Sequence, residues 1–135
     1  VALLTNGGSP RDLYQDLYCE VFAELADVEM PLPLTPPAEP VTVDFEPFLG
    51  TYERAGALVE VFRGEDEARL RHTVTGALAE MLREKVQEYA LVPVESGLFV
   101  VRSTVGRGWL PVTFYALATG EEYLHFGGRA TPKVR

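Results

Sequence analysis

The sequence predicts an α+β chain that is mostly β, in which a short strand and helix precede a small antiparallel β domain. Three observations predict it. Apolar residues recur every four positions from Leu13 to Leu25. Five prolines crowd into residues 30–40. After them the apolar period changes to two, with turn residues at near-regular spacing.

Val1 to Thr5 is a short apolar run that reads as a buried strand, broken by Asn6-Gly7-Gly8. Ser9 then suits a helix N-cap, Pro10 the first helical position and Asp12 the acid of a capping box. Leu13, Leu17, Val21 and Leu25, with Tyr14, Tyr18 and Phe22 beside them, make a broad apolar stripe on a helix over residues 10–27. Such a stripe needs a surface to cover. The prolines of residues 30–41 read as a stiff extended linker. The expected division is therefore 1–29, strand and helix; 30–41, linker; 42–135, β domain.

In that last part Gly50 to Glu53 opens a strand, turned at Ala55-Gly56. Leu58 to Arg63 follows, turned at Gly64-Glu-Asp-Glu67, and then Arg69 to Val74. Residues 77–87 break the alternation. Leu78, Met81, Leu82 and Val86 fit one face of a short helix. Strands are expected again at Tyr89 to Val94, Leu98 to Ser103, Trp109 to Leu117 and Tyr123 to Phe126. Their turns are Glu95-Ser96-Gly97, Gly106-Arg107-Gly108 and Thr119-Gly120. The meander can close as a small barrel or fold as a sandwich.

Composition narrows the function classes. The 135 residues suit one domain. With 20 acidic and 12 basic residues the net charge is −8, which argues against nucleic acid and anionic membrane surfaces as partners. No apolar run is long enough to span a bilayer. Cys19 is the one cysteine, so no internal disulfide forms, and a half-buried small side chain is its simpler reading. His72 and His125 lie far apart and lack the tight spacing of zinc ligands, so no metal or cofactor is expected. Glu65-Asp66-Glu67 is too short for a calcium loop, and Gly106-x-Gly108 lacks the third glycine of a dinucleotide site. The three serines, Ser9, Ser96 and Ser103, start no Ser-x-x-Lys and no Gly-x-Ser-x-Gly, so no catalytic residue is assigned. A barrel can also hold a ligand, and Trp109, Tyr115 and Tyr123 are the candidates to line such a cavity; an ordinary filled core is the plainer expectation.

Taken in order, Val1-Ala-Leu-Leu-Thr-Asn-Gly7, a helix, a proline-rich link and Phe48-Leu-Gly-Thr-Tyr52 resemble the C-terminal end of serine hydrolases of the β-lactamase/penicillin-binding-protein superfamily. Trp109 to Tyr115 and Tyr123 to Lys133 resemble the last strands of a lipocalin-like β-barrel appended to many members. The resemblance implies that residues 1–29 are the last strand and C-terminal helix of an upstream catalytic domain. The family's Ser-x-x-Lys and Tyr-x-Asn elements have no match here. His125-Phe126-Gly127 matches its His-x-Gly element in letters but stands after the barrel strands, so His125 is not carried over.

The expected function is that of a non-catalytic C-terminal accessory domain, shaping a parent's cleft or mediating oligomerisation. A free-standing lipocalin-like small-ligand binder is the alternative. The expected partners are the upstream catalytic domain of the same parent chain and a second copy, through the residue 10–27 helix. Val1 falls inside a strand-like run, which suggests a fragment. A leader could precede it, so the compartment is not readable, with a cytoplasmic setting only slightly favoured.

Overall fold

The computed structural model describes residues 2–7, 10–65, 67–104, 106 and 108–135. One long helix, α1 (Pro10–Ala26), precedes nine antiparallel strands and a single-turn helix. The strands are β1 (Gly50–Arg54), β2 (Ala57–Arg63), β3 (Ala68–Val74), β4 (Val86–Ala90), β5 (Val92–Glu95), β6 (Leu98–Arg102), β7 (Trp109–Ala116), β8 (Glu122–Phe126) and β9 (Arg129–Pro132). The short helix α2 (Ala77–Met81) joins β3 to β4.

Within each sheet every strand pairs with its neighbour in sequence, in the order β1-β2-β3-β4 in one and β5-β6-β7-β8-β9 in the other. The sheets meet at two seams. At one, the chain runs from β4 through Leu91 straight into β5, and the Leu91 amide donates to the Ala68 carbonyl at 2.9 Å. At the other, β1 meets the chain's end. The Thr51 amide donates to the Arg135 carbonyl and the Val134 amide to the Thr51 carbonyl, both at 2.7 Å, and Tyr52 bridges to Lys133. The meander thus returns on itself, which leaves few unpaired edge groups.

Alternation decides what fills the space between the sheets. Ala57, Val59 and Val61 of β2 are buried while Leu58, Glu60 and Phe62 are half-exposed. Leu70, Phe99, Val101, Val112 and Leu124 are fully buried in one cluster. The segment before β1 stoppers one end. A 3-10 turn, Glu46–Phe48, turns Phe45 and Phe48 inward. Their rings lie 5.6 and 5.4 Å from that of Phe99, and Phe48 lies 4.9 Å from Phe114. Toward the other end Tyr89 and His72 meet Phe126 edge-on at 5.5 and 6.0 Å. Among the described residues, packed side chains occupy this interior.

Several expectations need correction. The strand at residues 1–5 forms no ladder over Ala2 to Thr5, and Leu4 is 94% exposed; Val1 lies outside the described residues. A strand needs a neighbour to satisfy its backbone groups, and among the described residues none pairs with it. The helix expected over 77–87 ends at Met81, and Val86 already pairs with Thr73 in the sheet. The strand expected at Tyr89 to Val94 is divided at Leu91 between the two sheets. β9 was not expected. Its signal was Gly127-Gly128, with φ of 63° and 79°, the two left-handed positions of a tight hairpin. Ser9, Asp66 and Arg107, placed in an expected cap and two expected turns, lie outside the described residues.

Candidate functional site

The outer faces of the two sheets differ in chemistry. On the first, Glu60, Arg71 and Glu88 stand side by side on β2, β3 and β4. Arg71 Nε donates to Glu88 Oε1 at 2.7 Å, Arg71 Nη1 lies 3.5 Å from Glu60 Oε2, and the guanidinium covers the Phe62 ring. This solvated charge ladder gives an apolar helix nothing to cover.

The second sheet is apolar outside. In β6, Phe99 and Val101 point into the core, so Val100 between them points out. Val100 is nevertheless fully buried, and it pairs with Pro111 of β7. Something therefore covers this face. A groove of about 210 Å³ lies there, walled by Trp109, Leu110 and Pro111 of β7 and by Pro31, Pro33 and Leu34 of the proline segment. Its third wall is the first turn of α1, with Arg11, Asp12 and Gln15. Ser103 and Gly108, from the β6–β7 connection, complete it. Arg102 stacks its guanidinium 5.3 Å from the Trp109 ring. Gly106 approaches α1 closely: a Cβ there would sit 3.3 Å from an Asp12 carboxylate oxygen.

The three candidate cavity-lining aromatics are all on this outer side. Tyr115 and Tyr123 are cross-strand partners whose rings stack at 5.6 Å and 13°, and Tyr115 is 41% exposed. Trp109 walls the groove. None joins the buried cluster, which takes Val112 and Phe114 from the same strand. The reason is strand phase: both faces of Trp109 to Ala116 carry large apolar residues, so periodicity could not tell in from out.

The titratable groups are scattered. His72 is half-buried on β3, with its pKa pulled down by burial and, further, by the nearby Arg54 charge. His125 is exposed on β8. Cys19 is half-buried on α1 and accepts a weak contact from Gln15 Nε2 at 3.5 Å. Among the described residues no three His, Cys, Asp or Glu side chains converge to hold a metal ion, and no helix is long and apolar enough to cross a membrane.

Along α1, Tyr14, Leu17, Tyr18 and Val21 are half-buried. No residue of α1 is buried, and Leu13, Phe22 and Leu25 are 50, 44 and 77% exposed. It ends at Asp27, in the left-handed region with φ of 52°, where the chain turns toward the proline segment.

No family model matches the chain. Over 55 residues, 41% of its length, it is 53% identical to penicillin-binding protein 4 of Amycolatopsis lactamdurans. The matched stretch is 14% of that protein's length, so the chain answers to a small part of this relative. At that level of identity the likeness points to an origin related to the penicillin-binding proteins and β-lactamases.

Proposed function

We propose that the chain is a non-catalytic C-terminal accessory region of a β-lactamase-related serine hydrolase. In this reading α1 seats on the catalytic domain upstream, and the lipocalin-like β domain stands beside the cleft and limits what enters it. The observation that carries the reading is the helix: Leu13, Phe22 and Leu25 of its apolar stripe are exposed, while Tyr14, Leu17, Tyr18 and Val21 are only half-buried. Burying such side chains stabilises by roughly 1.5–3 kcal/mol each, so a surface that covers them is worth having. The partial likeness to a penicillin-binding protein supplies the class of that surface. Against the alternative, a free-standing small-ligand binder, stands the interior filled by Phe45, Phe48, Phe99 and Phe114.

Hydrolysis tests it. The 135-residue chain alone should turn over neither nitrocefin nor p-nitrophenyl esters above an albumin control, while the complete gene product should hydrolyse one of them. Turnover by the chain alone, abolished by one serine-to-alanine change, would refute the reading.

A further inference from the structure

We infer that the basic end of the β domain, where α2 lies, is a second docking surface for the domain that covers α1, and that it fits an acidic face carrying apolar side chains. The inference rests on the reading above, since it takes an upstream catalytic domain as the occupant.

The two ends of the β domain differ in charge. The turns after β2, β5 and β7 lie at one end with the stopper, and Glu46, Glu65, Glu67, Glu95, Glu121 and Glu122 gather there. Two cations of that end are already engaged. Arg63 pairs with Glu46, and Lys133 Nζ lies 3.0 Å from Glu122 Oε2 and donates to the Pro47 carbonyl at 2.8 Å. Arg54, Arg83, Lys85, Arg102 and Arg129 lie at the other end, on or beside the turns after β1, β3, β6 and β8. Among the described residues none of these five forms an ion pair. Glu53, Glu80 and Glu84 offset part of their charge and leave the balance positive. The net charge of −8 hides this division. At physiological salt an exposed charge is screened over roughly 8 Å, so each end meets a partner with its own sign.

The basic end also presents apolar side chains. Leu78, Met81, Leu82 and Val86 are 56, 82, 39 and 44% exposed, all between the end of β3 and the first residue of β4. Their connection is moored at both ends: the Thr75 amide donates to the Gly56 carbonyl at 3.1 Å, and the Val74 amide to the Lys85 carbonyl at 2.8 Å. Apolar side chains left wet on a held backbone are the pattern of a contact surface. What covers it follows from α1. The first turn of that helix lies against the β6–β7 connection, at this same end, where a Cβ on Gly106 would sit 3.3 Å from an Asp12 carboxylate oxygen. A domain that covers α1 is thus brought to the basic end and not to the acidic one. An acidic face there meets the unpaired cations, and Leu78 and Met81 give it apolar area to bury.

Hydrogen exchange of residues 77–84 reads the contact, in the complete gene product and in the 135-residue chain diluted until monomeric. It should be at least about fivefold slower in the complete product. Lys85→Glu with Arg129→Glu in that product should bring it to within about twofold of the same variant of the chain alone. Met81→Asp, at the most exposed of the four apolar positions, should do the same. Glu65→Lys with Glu121→Lys, at the acidic end, should change nothing. Far-UV circular dichroism verifies that the variants keep their sheets. Slow exchange that persists in both the charge-reversed and the Met81→Asp variants would overturn the docking surface. Equal exchange of 77–84 in the two proteins, with α1 slowed, would overturn it and leave the reading of α1 standing; equal exchange of both segments would overturn both. Slowing in the chain alone, on adding phosphatidylglycerol vesicles or on raising its concentration, would assign the surface to a lipid or to a second copy and overturn the inference.

Discussion

The Tyr52 hydroxyl donates a hydrogen bond of 2.8 Å to the Phe48 carbonyl, tying the turn that stoppers the β domain to the first strand of the sheet. Burial, with Glu122 adding to it, pushes the phenol pKa far up, so the hydroxyl stays a donor at any working pH. Tyr52→Phe keeps the ring packed near Phe114 and leaves that carbonyl without its partner. The expected loss is about 1–2 kcal/mol in urea unfolding. An unchanged midpoint would mean that the stopper does not depend on this bond.

The seam between β1 and the chain's end depends on Gly50. Its φ is 140°, and a Cβ there would fall 2.2 Å from the Arg135 carbonyl oxygen, which accepts the Thr51 amide. Gly50→Ala should therefore open the seam and cost about 2 kcal/mol or more, with faster amide exchange at Thr51 and Val134. Wild-type exchange at both would show that the seam does not hold the meander closed.

His72 sets a pH dependence. Its folded pKa is lowered by burial first and the Arg54 charge second, so the unfolded chain takes up a proton that the folded chain resists. The neutral imidazole's contribution is complete above the unfolded value, about 6.5, and is lost as pH falls below it toward the folded pKa. Urea midpoints should drop between pH 7.5 and 5, and His72→Gln should flatten part of that drop. An equal drop in both proteins would assign it to other groups.

Much of the fold was legible because its signals are local. Gly64 and Gly97 turn strands whose alternation is plain, as in Val59-Glu60-Val61. What was hidden depends on partners distant in sequence. Phe45 and Phe48 sit in an irregular segment after the prolines, and only the Phe99 and Phe114 rings show why they turn inward. Trp109, Tyr115 and Tyr123 were read as candidates to line a cavity, but their side of the sheet follows from register with β6 and β8, which a sequence does not print. The groove was not foreseen at all: its walls come from three separate stretches of chain.

Left without a partner domain, α1 should find a substitute in a second copy. Sedimentation of the intact chain should show a dimer, because a two-fold contact between helices can cover Leu13, Phe22 and Leu25 on both copies at once. Leu13→Glu with Leu25→Glu should sediment as a monomer of unchanged fold. A monomer in both cases would show that the helix needs no such cover.

Hydrogen exchange across α1 tests the central claim most directly. It compares residues 10–26 in the 135-residue chain, diluted until monomeric, with the same residues in the complete gene product. A helix seated on an upstream catalytic domain should exchange at least about tenfold more slowly in the complete product, with the β sheets unaltered. Equal exchange of α1 in the two would contradict the claim that this helix is the face by which the chain joins a hydrolase.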